Sequence, residues 1–253
     1  MKTGLVLSGG GARGLTHVGV LMALEELGVQ IDEISGTSAG ALIATLYSGG
    51  RSPAQILEII EKHHFLDIRN LYWRGSGFFN HRSLKKIISN NISAMTFEEL
   101  NRKVFVTATN IADGIAETFE QGELAAPVAA SAAVPMMFAP VAIGDKLYVD
   151  GGILNNFPIE PLINRCDFII GSNVSTWPEN HKKWTPFLVL QRSFLLSVNN
   201  SFQVKKDKCH VLIDPPVGHF GAFSKSKLHN LVDIGYENTM LHKNEIQGKL
   251  NAK

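Results

Sequence analysis

The sequence predicts an α/β fold of three layers (α/β/α) with a mostly parallel central sheet. Three observations carry that prediction. A unit of short apolar strand, glycine turn and helix opens the chain and is repeated at once; strand-like segments then alternate with helical ones; and no repeat, low-complexity tract or linker interrupts the pattern. The chain is therefore read as one domain over 1–253.

Taken in order, Leu5, Val6 and Leu7 form a buried strand that runs into Gly9, Gly10, Gly11, Ala12, Arg13 and Gly14, after which Leu15, Val18, Leu21, Met22 and Leu24 recur at helical spacing. Gly28 closes that helix. Residues 31–35 make a second strand, ending in Gly36, Thr37, Ser38, Ala39 and Gly40, and 41–47 reads as helix. Pro53 suits a helix start, and Ile56, Leu57, Ile59 and Ile60 carry that helix to about His63. From His64 to Arg82 an aromatic-rich segment punctuated by glycines predicts a loop or cap. Strands are predicted over 104–109, within 141–149, over 168–171 and over 211–213, with helices over 187–204 and 228–246.

Composition narrows the function. The chain has 253 residues, 45% hydrophobic and 19% charged, with a net charge of +1. Lys and Arg are interspersed with acids, so no nucleic-acid partner is expected. Cys166 and Cys209 show no metal-ligand spacing and are too few for a disulfide framework, which fits a reducing compartment. The N-terminus is too weakly apolar for a secretory signal, so the expected location is the cytoplasm. The uncharged stretch 124–144 is long enough to span a bilayer, but it is alanine-dominated and carries Pro127, Pro135 and Pro140, so a spanning helix is rejected.

Three motifs could carry chemistry. Residues 36–40 match the nucleophile elbow, in which a sharp strand-to-helix turn lifts a serine, here Ser38, to its tip near the positive end of a helix. The glycine turn at 9–14 offers backbone amides, and those of Gly10 and Gly11 could stabilise an oxyanion while Arg13 adds positive charge. Gly9, Gly11 and Gly14 also satisfy a dinucleotide-binding fingerprint. Against that, Asp32 and Glu33 precede or begin the second strand, whereas a ribose-binding acid belongs at its end. The third motif is Asp150-Gly151-Gly152 at a strand end; it suits a carboxylate approaching a nucleophile, and equally an ordinary turn aspartate. None of nine histidines stands out as a base, and His17 is read as a packing or hydrogen-bonding residue. No metal or other cofactor is expected, because His and acidic residues do not cluster at ligand spacing.

In this order the three motifs resemble the patatin-like phospholipase family, over about 4–173, with 174–253 expected to pack on that core. The resemblance extends to the block 130–140 ahead of the aspartate and to Asn156 and Pro158 after it. In size the chain resembles small bacterial members related to the catalytic domain of neuropathy target esterase. The resemblance implies a patatin-like fold and a serine acyl hydrolase acting on carboxylic esters of lipids through a Ser–Asp dyad. Ser38 would attack, Asp150 would take its proton, and Gly10, Gly11 and Arg13 would hold the oxyanion. Where many members carry an aspartate before the glycine run, this chain has Ser8. The partner implied is a lipid or lipid-like ester, met during transient contact with a membrane surface; exposed Trp73 or Phe79 could make that contact. Met136, Met137, Phe138 and the aromatic segment either line an acyl groove or belong to the core, the second being the commoner use of such side chains. Two other classes remain: a non-catalytic regulatory or acyl-binding protein of the same fold, and a dinucleotide-binding protein.

Overall fold

The structure, a computed structural model, describes residues 1–62, 82–135, 137–175, 202–220 and 228–251, together with the single positions 189, 192, 193 and 196. The aromatic segment 64–82 (all but Arg82), Met136 and most of the helix expected over 187–204 lie outside the described residues.

Among the described residues eight strands form one sheet. β1 (Thr3–Leu7), β2 (Glu33–Thr37), β3 (Lys103–Asn110), β7 (Phe168–Ser172) and β8 (Val211–Ile213) run parallel, in the spatial order β3, β2, β1, β7, β8. β4 (Ile115–Phe119), β5 (Val141–Ile143) and β6 (Lys146–Asp150) are antiparallel additions at the β3 side. The single strand expected within 141–149 is thus a β5–β6 hairpin, with Gly144 at φ +61° in its turn.

The parallel strands are buried on both faces, so their apolar residues do not alternate with exposed polar ones. Leu5, Leu7, Ile34, Val104, Val106 and Ile170 join the larger buried cluster, while the alternate residues Val6, Phe105 and Ile169 join another with Phe157, Ile159 and Phe202. Helices α1 (Thr16–Glu26), α2 (Ala39–Ser48) and α3 (Pro53–Lys62) pack on the first face, and the short α6 (Glu160–Ile163) and its flanks on the second. Two further helices, α4 (Arg82–Asn91) and α5 (Ala125–Ser131), meet each other beside β3. α5 is seven residues long, and among the described residues no helix is long and apolar enough to cross a membrane.

The last helix expected over 228–246 is instead two, α7 (Leu228–Leu241) and α8 (Lys243–Asn251). α7 lies so close to α1 that a Cβ on Gly19 would sit 1.9 Å from the Val232 carbonyl oxygen, and one on Gly235 would sit 2.1 Å from that of Thr16. Enclosed between sheet and α7, α1 buries Val20 and Ala23 as well as the Val18, Leu21 and Leu24 stripe visible in the sequence.

The registers around β3 position the site. Val106 and Thr107 pair with both β2 and β4, so those two strands occupy opposite edges of β3. Ala108, Thr109 and Asn110 pair with both β4 and β6. β6 therefore continues along the edge that β2 vacates, running the opposite way. The carboxyl ends of β2 and β6 meet head to head at Thr107 and Ala108, bringing together residues more than a hundred positions apart in the chain.

Candidate active site

Ser38 occupies the turn between β2 and α2 with φ 54° and ψ −122°, and among the described residues it is the one non-glycine at positive φ. That conformation costs of order 1–3 kcal/mol and persists only where the surroundings impose it. Here they do. A Cβ on Gly36 would lie 2.7 Å from the carbonyl carbon of Gly40, and one on Gly40 would lie 2.3 Å from the carbonyl oxygen of Leu7. Only glycines admit so sharp a reversal against β1.

Across the β2–β6 junction, Ser38 Oγ donates to Asp150 Oδ2 at 2.6 Å, and the Gly152 amide donates to Asp150 Oδ1 at 2.7 Å. Both residues are buried. Burial raises the Asp150 carboxyl to about 6, partly opposed by the hydrogen bonds from Ser38 and Gly152. Gly151 is sterically required, since a Cβ there would fall 2.2 Å from the Thr107 carbonyl oxygen; one on Gly152 would crowd two side-chain oxygens, Asn156 Oδ1 at 2.8 Å and Asp150 Oδ1 at 2.9 Å.

The glycine turn leaving β1 lies alongside. A Cβ on Gly9 would be 3.1 Å from Ser38 Cβ, and one on Gly14 would be 2.4 Å from Ala39 Cβ. The Gly9 carbonyl accepts from Asn156 Nδ2 (3.3 Å) and Ser8 Oγ (3.2 Å), while the Gly9 amide donates to the Asn156 carbonyl (3.2 Å). Ser8 Oγ also accepts from the Val174 amide at 2.9 Å, so the residue that departs from the family's usual aspartate still ties the turn to the segment after β7. Among the described residues the amides of Gly10 and Gly11 take no partner, which leaves them able to meet an anion. The Arg13 side chain is buried, and burial lowers its guanidinium to about 10, still charged at neutral pH. Gly11, Ala12 and Gly14 line the cavity in front of Ser38, and Arg13 is not among its lining residues.

That cavity is apolar. Besides the turn and Ser38 it is lined by Leu15, Leu42, Ile60, Val134, Met137 and Phe138. Met137 and Phe138 also pack on the cluster formed by α5 and the β5–β6 hairpin, so they serve core and groove together.

His17 is fully buried, its ring held between Ser172 Oγ and the Ser8 carbonyl, each at 2.9 Å, and neither nitrogen bonds Ser38 or Asp150. A carbonyl can only accept, so Nε2 carries the proton and Nδ1 accepts from Ser172. Burial lowers the imidazole to about 4, and the ring is neutral at physiological pH. Glu33 lies at the start of β2, paired with Lys2 and Arg165 at the opposite end of the sheet from the glycine turn. No acid from that position can reach a nucleotide ribose there.

Beside Ser38 lies a residue of the block 130–140 to which the sequence alone assigns no role. Ser131, the last residue of α5, accepts from the Ser38 amide at 2.8 Å and donates to the Thr107 carbonyl at 2.6 Å. Its signal was a lone hydroxyl among Ala129, Ala130, Ala132 and Ala133.

The chain is similar to known proteins over most of its length. The patatin-like phospholipase family model matches residues 5–163. The chain is 26% identical over 290 residues to lysophospholipase NTE1 of Debaryomyces hansenii, covering 98% of this chain and 18% of that protein. It is 25% identical over 268 residues to neuropathy target esterase sws of Drosophila melanogaster, covering 92% and 18%. The chain thus spans about 18% of the length of these curated relatives. Among solved structures, VipD from Legionella pneumophila superposes with TM-score 0.57 at 17% identity, covering 96% of this chain and 67% of that one. Human GIVD cytosolic phospholipase A2, in complex with methyl gamma-linolenyl fluorophosphonate, superposes with TM-score 0.52 at 12% identity, covering 97% and 58%. The family match spans well over half of the chain and takes in both glycine turns and the aspartate, and on that ground the chain belongs to the patatin-like phospholipase family of lipid acyl hydrolases.

Proposed function

We propose that this chain hydrolyses carboxylic ester bonds of lipids through an acyl-enzyme formed on Ser38, with Asp150 as the base. The observation that carries the reading is the 2.6 Å hydrogen bond from Ser38 Oγ to Asp150 Oδ2 across the β2–β6 junction. A carboxylate near its reference value is a weak base at neutral pH; a buried one whose carboxyl sits at about 6 is better matched to taking a hydroxyl proton. Ser38 Oγ attacks the ester carbonyl as its proton passes to Asp150 Oδ2, and the C–O bond to the alcohol breaks as Asp150 returns that proton to the departing oxygen. Water then repeats the sequence on the acyl-enzyme, with Asp150 again as base, releasing the fatty acid and restoring the serine. The amides of Gly10 and Gly11 receive the negative charge of each tetrahedral intermediate, and the buried Arg13 of the same turn adds positive charge; removing one donor of this kind typically costs about 3–4 kcal/mol.

The cavity, lined among the described residues mainly by apolar side chains, suits an acyl chain, so the acyl half of the substrate is the half it recognises. Relatives named as lysophospholipases support a lipid carrying one acyl chain. A cytoplasmic location with transient contact at a lipid surface belongs to the same proposal. Trp73 and Phe79, the aromatic residues expected to make that contact, lie outside the described residues. Unchanged sedimentation with liposomes after Trp73→Ala and Phe79→Ala would remove their part in it.

The test is release of free fatty acid from single-chain phospholipid and from soluble p-nitrophenyl esters. Turnover by the native chain that disappears in Ser38→Ala supports the proposal. Lipid binding that survives Ser38→Ala, with no turnover by either protein, would favour a non-catalytic acyl-binding role.

A further inference from the structure

We propose that Ser131 is a positioning residue for the nucleophile: its hydroxyl is spliced into the β2–β3 ladder and holds Ser38 in its left-handed conformation. This inference rests on Ser38 being the nucleophile. β2 follows β3 in register as far as Thr37 opposite Thr107, and β6 takes the same edge from Ala108 opposite Asp150. The next rung of a parallel ladder would run from the Ser38 amide to the Thr107 carbonyl. Because β2 turns away at that point, both groups would be left buried and unpaired, at a penalty comparable to a lost hydrogen bond each. Ser131 Oγ lies between them, accepting from the Ser38 amide at 2.8 Å and donating to the Thr107 carbonyl at 2.6 Å. One hydroxyl has one proton to give, and it goes to the carbonyl, so the direction of both bonds follows.

The surroundings argue that the hydroxyl is there for this bridge. Ser131 is fully buried among alanines and packed helix, where an alanine would fill nearly the same space. A buried hydroxyl is unfavourable in such surroundings unless bonded, and both of its bonds go to the two ends of the interrupted rung. The bridge also occupies the Ser38 amide and stands where β2 and β3 would otherwise bond directly. Into the same junction fits Gly151, where a Cβ would lie 2.2 Å from the Thr107 carbonyl oxygen and 3.0 Å from Thr37 Cγ2. Ser131 thus fixes the peptide on which the nucleophile stands, while Asp150 fixes its Oγ.

The experiment compares the native chain with Ser131→Ala and Ser131→Cys, using a soluble p-nitrophenyl ester and a fluorophosphonate titration of reactive sites. Loss of the bridge lets the Ser38 turn relax by a fraction of an ångström, and misplacement on that scale is expected to lower kcat by about 10- to 100-fold. KM should stay within about twofold, since the cavity walls are untouched. The titrated fraction of sites should remain as in the native chain while their labelling rate falls. Ser131→Cys, with a poorer donor and acceptor of similar size, should fall between the two, and it serves alone if Ser131→Ala does not fold. A folded variant with native kcat would overturn the inference. So would a kcat that falls only in proportion to the titrated fraction, which is the mark of a merely structural residue. A native chain that neither turns over ester nor labels would overturn the reading beneath it, and the inference with it.

Discussion

Replacing Asp150 by asparagine should make the protein more stable at neutral and alkaline pH while removing its activity. The Asp150 carboxyl is raised by burial to about 6, against about 4 for an exposed aspartate. Between those two values the folded chain holds a proton that the unfolded chain has released. Stability therefore falls as pH rises from 4 to 6, and the ionised carboxylate remains a burden above that. Two pH units correspond to about 3 kcal/mol. Asparagine does not titrate and fits the same partners, its Oδ1 accepting from the Gly152 amide and its Nδ2 donating to Ser38 Oγ, which then acts as acceptor. Urea unfolding of both proteins at a series of pH values cancels the other titrating groups. The advantage of Asp150→Asn should grow by about 3 kcal/mol between pH 4 and 7.5, which for a chain of this size is roughly 6–12 °C in Tm. A stability difference independent of pH, or one that increasingly favours the native aspartate as pH rises, would refute a raised, desolvated carboxyl at this position.

Further consequences concern pH, backbone approach and the cavity. The rate of fluorophosphonate labelling should rise with pH through about 6 and level off above it, as Asp150 ionises; a midpoint near 4 would mean that burial does not raise the carboxyl, and a rate that does not change across pH 4–7 would mean that the carboxylate is not the base. Gly14→Ala would set a Cβ 2.4 Å from that of Ala39 and so press the glycine turn off the elbow, with an expected loss of about 10²-fold in kcat/KM; retention of native turnover would show that the two turns need not touch. Leu42→Phe should narrow the cavity, raising KM for long-chain esters while leaving a p-nitrophenyl acetate assay within about twofold; equal effects on both would place the acyl chain elsewhere. Gly235→Val should weaken the α1–α7 contact by about 1–3 kcal/mol in chemical denaturation, since its Cβ would meet the Thr16 carbonyl oxygen at 2.1 Å.

The sequence made the parallel half of the sheet legible because it depends on local patterns: apolar runs at 5–7, 104–109 and 168–171, each ending where a turn begins. It also marked Ser38, the glycine turn and Asp150 as separate features, each tied to a short motif of small residues. Their meeting was not legible, because it depends on registers: β6 takes up the edge of β3 at the residue where β2 leaves it. β4 escaped notice because Ile115 and Ala116 are exposed while Thr107 and Thr118 face each other across the pairing, so no apolar alternation marks the strand. The break between α7 and α8 at His242 has no glycine or proline to announce it. Ser131 was hidden for the opposite reason: in an alanine run a single serine reads as a small residue, and its role appears only when both ends of the interrupted rung are seen.

Activation of Ser38 by Asp150 is read out by fluorophosphonate labelling followed by intact mass and peptide mapping. One adduct per chain is expected, on Ser38, absent from Ser38→Ala and lost from the folded Asp150→Asn variant. An adduct on another residue, or undiminished labelling of Asp150→Asn, would contradict it.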